Sequence, residues 1–74
     1  MRTPMQYLVV IERGASSYGA YVPDLPGCVA VGESAAEVET LIRKAIELHV
    51  EGLREHREPV PEPASTGQLV TIDA

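Results

Sequence analysis

A capped amphipathic segment at residues 35–55 constrains the fold of this chain more than any other feature. Ser34 is a preferred N-cap residue, and Glu37 three positions later completes a capping box. Along the segment, apolar side chains recur at the spacing of one helical face, and that face covers roughly half of the cylinder. The sequence therefore predicts one long helix whose apolar face is wider than packing on one other element requires.

Three short segments before the helix have the composition of β-strands. Residues 5–13, 18–23 and 28–32 are rich in β-branched and aromatic side chains, and turn-forming residues separate them. The first segment is apolar on both faces, and strands of this kind are usually covered on both faces. Because one helix covers only one face of a small sheet, we expect the other face to contact a second protein chain.

A proline-rich segment follows the helix. Residues 58–64 carry prolines at alternate positions, which favours an extended spacer. Residues 68–72 (QLVTI) are β-prone and predict a last short strand. The whole chain, residues 1–74, is therefore expected to form one α+β domain with two layers and the element order β-β-β-α-β.

Size and charge restrict the partners of such a domain. A domain of 74 residues hides only about 60% of the surface that its unfolded chain exposes, so a homodimer or another oligomer is expected. Eleven acidic residues against six basic ones give a formal charge of −5. This balance disfavours direct binding of nucleic acid and favours a basic protein partner.

The sequence also indicates where the chain resides. No apolar run approaches the roughly 20 residues that cross a membrane, and residues 1–4 lack the apolar region of a secretory signal. Cys28 is the one cysteine, so no internal disulfide forms, which fits a reducing compartment. We expect a cytoplasmic protein without membrane contact.

Two consecutive runs resemble a known family. YVPDLPGCVAVGES at residues 21–34 and AAEVETLIRKAIELHVEGLREHREPVPEP at residues 35–63 together resemble the HicB-like antitoxin family. The resemblance implies a partial ribonuclease-H-like domain without nuclease chemistry, which neutralises a small HicA-type toxin that cleaves messenger RNA. Full-length members also carry a C-terminal DNA-binding segment. Only residues 64–74 remain here, so we expect that segment to be absent.

Two sets of contact residues are predicted. Asp24 matches the family motif on a proline-stiffened corner, where it either binds a basic partner or closes its own turn. The residues predicted to contact a toxin are Asp24, Leu25, Glu33 and Tyr21. The residues predicted to form a homodimer interface are Tyr7, Val9, Ile46 and Val50.

Residues with reactive side chains have structural as well as chemical interpretations. Cys28 has no second thiol for a metal site, and free cysteine is usually buried, so a structural thiol is favoured. His49 lies on the apolar helix face, where a half-buried, hydrogen-bonded ring is favoured over a catalytic one. The acids available for a ribonuclease-H-like Mg²⁺ site are Glu12, Asp24, Glu33 and Asp73. They lack the spacing of such nucleases, so we expect no catalytic residue, cofactor or metal.

The leading hypothesis is a non-enzymatic module that masks a basic RNA-cleaving toxin by protein contact. A second hypothesis is an orphan domain with a structural or small-ligand-sensing role and no toxin. A third, a metal-dependent nuclease remnant, requires Mg²⁺-dependent RNA cleavage that Asp24→Asn abolishes. Fold alone does not decide among them.

Overall fold

The computed structural model describes residues 4–74, which form three β-strands followed by one α-helix. The strands are β1 (Val10–Arg13), β2 (Tyr18–Tyr21) and β3 (Val29–Gly32), and the helix is α1 (Ala35–Glu55). The strands form one antiparallel sheet in the order β1-β2-β3. The predicted α+β class is confirmed. Residues 1–3, which the single-domain prediction includes, lie outside the described residues.

Two tight turns join the strands. At the β1–β2 hairpin, the backbone N–H of Gly14 donates to the carbonyl oxygen of Ser17 at 2.8 Å. Between β2 and β3, the N–H of Leu25 donates to Val22 and the N–H of Cys28 donates to Leu25, both at 3.0 Å. Gly27 has a φ of 84° in this turn, a conformation that only glycine adopts readily. The second turn folds inward and buries Leu25.

The helix packs against one face of the sheet. Its start is fixed by the Oγ of Ser34, which accepts a hydrogen bond from the Glu37 N–H at 3.1 Å. A Cβ at Gly32 would lie 3.1 Å from the Val38 nitrogen, so glycine permits the close approach of α1 to β3. Apolar side chains from the sheet, the second turn and the helix share the core. These are Ala20, Val22, Leu25, Cys28, Val38, Ile42 and Val50.

The other face of the sheet, which we call the outer face, points away from the helix. Side chains alternate along a strand, so the residues beside Ala20, which is buried, and Ala30, which is half-buried, point to this outer face. Cross-strand pairing aligns Val10 with Tyr21 and Tyr21 with Val29. The outer face consists of Val10, Glu12, Gly19, Tyr21, Val29 and Val31.

Two predicted strands differ from the structure. The first predicted strand, residues 5–13, is paired only from Val10 onward. The predicted strand at residues 68–72 is corrected, because these residues lie in an irregular tail in the described chain. A β-prone segment forms a strand only when another backbone pairs with it, and nothing in residues 4–74 pairs with this one. Its apolar side chains, Leu69, Val70 and Ile72, are left exposed.

Candidate functional site

The outer face presents exposed β-branched side chains from β3. Val29 is 63% exposed and Val31 is 68% exposed, and Tyr21 beside Val29 is also exposed. Val31 pairs with Gly19, which has no side chain to shield it. Contiguous apolar surface of this kind marks protein–protein contact sites. The outer face is therefore one candidate binding surface.

Acidic side chains accompany this apolar surface. Glu12 pairs with Gly19, which places it in the same cross-strand row as Val31. Glu33 directly follows β3 and is exposed. The combination of exposed valines with neighbouring carboxylates suits a partner that offers both apolar and basic side chains.

A second apolar surface is a groove of about 540 Å³ between α1 and residues 5–11, the segment that leads into β1; we call it the β1–α1 groove. The helix packs most extensively on β3 and least on β1, which leaves the β1 side open. Three of the four residues predicted to form a dimer interface, Tyr7, Val9 and Ile46, line the groove. The fourth, Val50, is buried in the core of its own chain. The apolar lining is completed by Met5, Ile11 and Ile42, and the charged lining consists of Glu39, Arg43 and Glu47.

Asp24 fastens the C-terminal tail to the turn between β2 and β3. Its Oδ2 accepts hydrogen bonds from the backbone N–H groups of Ala64 and Ser65, each at 2.9 Å. Its Oδ1 accepts a third bond from the Ser65 hydroxyl, also at 2.9 Å. Hydrogen bonds from the Ser65 and Ala64 N–H groups lower the pKa of the Asp24 carboxyl. Asp24 therefore acts on a distant segment of its own chain, a role that neither sequence interpretation included.

Two further contacts hold the tail near the start of β1. The Tyr7 hydroxyl donates to the carbonyl oxygen of Pro61, and burial raises the pKa of that hydroxyl. Gly67 lies against Leu8, because a Cβ at Gly67 would be 3.1 Å from the Leu8 side chain. Local sequence carried no signal for these contacts, since the paired residues lie more than 50 positions apart. Beyond Gly67 the apolar side chains of the tail are exposed to solvent.

Removing the charge of Asp24 is expected to release the tail. In Asp24→Asn the amide group offers fewer acceptors to three donors, so proteolysis after Pro63 should accelerate relative to wild type. Asp73→Asn makes the same chemical change at an exposed tail residue and should leave the rate unchanged. Limited proteolysis followed by mass spectrometry measures both rates. Equal rates for Asp24→Asn and wild type would contradict the assigned role.

The same contact predicts a pH dependence. Because the folded-state pKa of Asp24 is lowered, its hydrogen bonds stabilise the docked tail above the ordinary aspartate pKa. That contribution is lost as the pH falls through the folded-state pKa. The amide NMR shifts of Ala64 and Ser65 should therefore titrate together, with a midpoint below that of a free aspartate.

Other predicted site residues lie apart from these surfaces. Leu25 is 0% exposed, so its side chain belongs to the core and does not reach a partner. Cys28 is buried, and burial raises the pKa of its thiol, which disfavours the reactive thiolate. His49 is half-buried on α1. His56 ends the helix, and its Nδ1 lies 2.8 Å from the Gly52 carbonyl oxygen.

Two further features of residues 4–74 concern metal ligands and the hydropathy of the helix. No group of three or more His, Cys, Asp or Glu residues in this part of the chain is placed to hold a metal ion. Asp24, one of the four acids considered for a Mg²⁺ site, accepts hydrogen bonds from the tail. Over the same residues, α1 is not apolar enough to cross a bilayer.

Sequence comparisons identify proteins that are similar to this chain. An uncharacterised 14.9 kDa protein of Haemophilus phage HP1 is 36% identical over 66 residues, covering 89% of this chain and 50% of that protein. A UPF0150 protein of Thermoplasma acidophilum is 36% identical over 71 residues, covering 95% of this chain and 100% of that protein. A UPF0150 protein of Synechocystis is 38% identical over 63 residues, covering 80% of each chain. This chain thus spans half the length of the phage relative and the full length of the archaeal one.

A family model identifies the group to which this chain is similar. Residues 7–73 match the model described as HicB-like antitoxin of bacterial toxin–antitoxin system. The match begins at Tyr7 in the groove and includes both the outer face and the Asp24 turn. With nearly its whole length matched, the chain belongs to the HicB-like antitoxin family.

Proposed function

We propose that this chain is an antitoxin that neutralises a basic, RNA-cleaving toxin by covering it, without enzymatic activity of its own. The observation that carries the proposal is the exposure of Val29 and Val31 on a sheet face that the helix does not cover. Family membership supplies the class of partner. Tyr21 and Glu33, both exposed beside this surface, complete the proposed contact.

Physical chemistry supports inhibition by masking. A protein that cleaves RNA needs a basic surface to hold the phosphate backbone. An acidic chain, with a formal charge of −5, competes for that surface and is steered toward it over several ångströms. Burial of the outer-face valines then supplies the apolar contribution to affinity. Asp24 is engaged by the tail and Leu25 is buried, so neither belongs to the proposed contact.

We also propose that the chain is cytoplasmic and self-associates as a homodimer. The cytoplasm holds the messenger RNA on which a toxin of this class would act. Exposed apolar surface in the β1–α1 groove and on tail residues Leu69, Val70 and Ile72 supports self-association, because a monomer would leave both surfaces in water.

Co-expression tests the antitoxin role. A small basic toxin encoded beside this gene should arrest growth when expressed alone. Co-expression of the chain should restore growth, and the two proteins should purify as one complex. A matched control is the double variant Val29→Lys/Val31→Lys, which should fold but fail to restore growth. If the wild-type chain neither formed a complex with the toxin nor restored growth, the proposal would be refuted.

A further inference from the structure

The end of the tail is an unpaired strand-like segment. Leu69 is fully exposed, Val70 is 73% exposed and Ile72 is 75% exposed. No charged residue occurs from residue 63 to residue 72. An uncharged, β-prone segment in solvent readily pairs with an available strand edge. The chain thus carries a β-prone segment that pairs with no strand in residues 4–74.

The free edge of β1 has the properties of a matching site. β1 is an edge strand, so one side of its backbone has no strand beside it in the described sheet. On the helix side of this edge lies the β1–α1 groove, and on the other side lies the outer face. β3 is the other edge strand, but α1 packs most extensively on it, so its helix side offers less open apolar surface. A strand added at β1 would find apolar surface on both of its sides.

The tail segment has apolar side chains on both sides. In an extended strand, Val70 and Ile72 point to one side and Leu69 points to the other. Val70 and Ile72 match the groove, whose lining includes Ile11 and Ile46. Leu69 matches the outer face beside Val10. The two-sided pattern of the tail therefore corresponds to the two-sided surroundings of the β1 edge.

The tail of the same chain does not occupy this site. The groove is lined by residues of the ranges 5–11 and 39–47, with no contribution from the tail. Asp24 holds Ser65, and Gly67 lies against Leu8, so the segment is anchored at its start and free beyond it. An anchored, projecting strand is suited to reach a neighbouring molecule, which is the geometry of strand exchange.

We propose that residues 68–72 of one copy add as a fourth strand to the β1 edge of a second copy, with Val70 and Ile72 in the partner's groove. The exchange is reciprocal, so each tail occupies the groove of the other copy in one symmetric dimer. This contact rests on the self-association proposed above and is independent of the toxin. It leaves the valines of β3 free to bind a different protein.

Charge placed in the tail tests the contact. Val70→Asp and Ile72→Asp are two single variants. Each should raise the dimer dissociation constant, measured by sedimentation equilibrium, at least about tenfold, because each removes an aliphatic side chain that the proposed dimer buries. Val31→Lys, on the outer face of β3, should leave the constant unchanged. Dimers unaffected by the tail variants, or dissociated only by Val31→Lys, would overturn the proposal.

A mixing experiment tests the pairing of tail with groove. The tail variant Val70→Asp/Ile72→Asp and the groove variant Ile11→Glu should each be monomeric. Their mixture should form a heterodimer, because the intact tail of one fits the intact groove of the other. A wild-type monomer with exchange-protected amides at residues 68–72 would show that the tail docks on its own chain, and would refute the exchange. Growth rescue measured on the same variants tests the toxin proposal separately, because the strand exchange is independent of the toxin.

Discussion

Leu25→Ala is expected to lower the free energy of unfolding by about 2–5 kcal/mol, the usual cost of removing a fully buried leucine side chain. Leu25 is 0% exposed and lies among Val22, Cys28 and Ile42 in the core. A domain of 74 residues has a total stability of about 4–11 kcal/mol, so this loss is a large fraction of it. Chemical denaturation followed by circular dichroism measures the change.

Val31→Ala serves as the control for this substitution. Val31 is 68% exposed, so its truncation should change stability by less than about 0.5 kcal/mol. Equal effects of the two substitutions would mean that the turn between β2 and β3 does not fold into the core.

Val29→Lys/Val31→Lys is expected to weaken toxin binding by at least about a hundredfold. The double substitution removes two apolar side chains from the proposed contact and sets positive charge against a basic partner. Both positions are exposed, so the fold and its stability should be retained. Isothermal titration calorimetry measures the affinity, and circular dichroism checks the fold.

The control for this pair changes charge equally at another surface. Ala36→Lys/Thr40→Lys also adds two positive charges, at exposed positions on α1 away from the outer face. It should weaken binding only through the smaller net negative charge, a loss that salt removes. If the two double variants weakened binding to the same extent at every salt concentration, the outer face would not be the contact.

The helix and its surplus of apolar surface could be predicted from the sequence. The capping box of Ser34 and Glu37 and the apolar periodicity are local signals, and the helix occupies the predicted residues, Ala35–Glu55. The two-sided apolar character of the first predicted strand led us to expect surface that one helix does not cover. The residues with the largest exposure on the sheet, Val29 and Val31, lie instead on β3, for which the sequence predicted only a short strand.

The role of the tail could not be predicted, because it depends on contacts between distant residues. Asp24 meets Ala64 and Ser65 across 40 positions, and no spacing rule connects residues so far apart. The predicted strand at residues 68–72 rested on β-propensity, which requires a neighbouring strand to take effect. The structure shows the segment exposed, and the proposed exchange supplies the neighbour from a second copy.

Titrating the purified toxin with this chain in an RNA-cleavage assay tests the central claim most directly. If the chain neutralises the toxin by covering it, cleavage should fall in proportion to added chain and cease near equimolar amounts. Val29→Lys/Val31→Lys should leave cleavage intact at the same concentrations. Undiminished cleavage in the presence of excess wild-type chain would contradict the account.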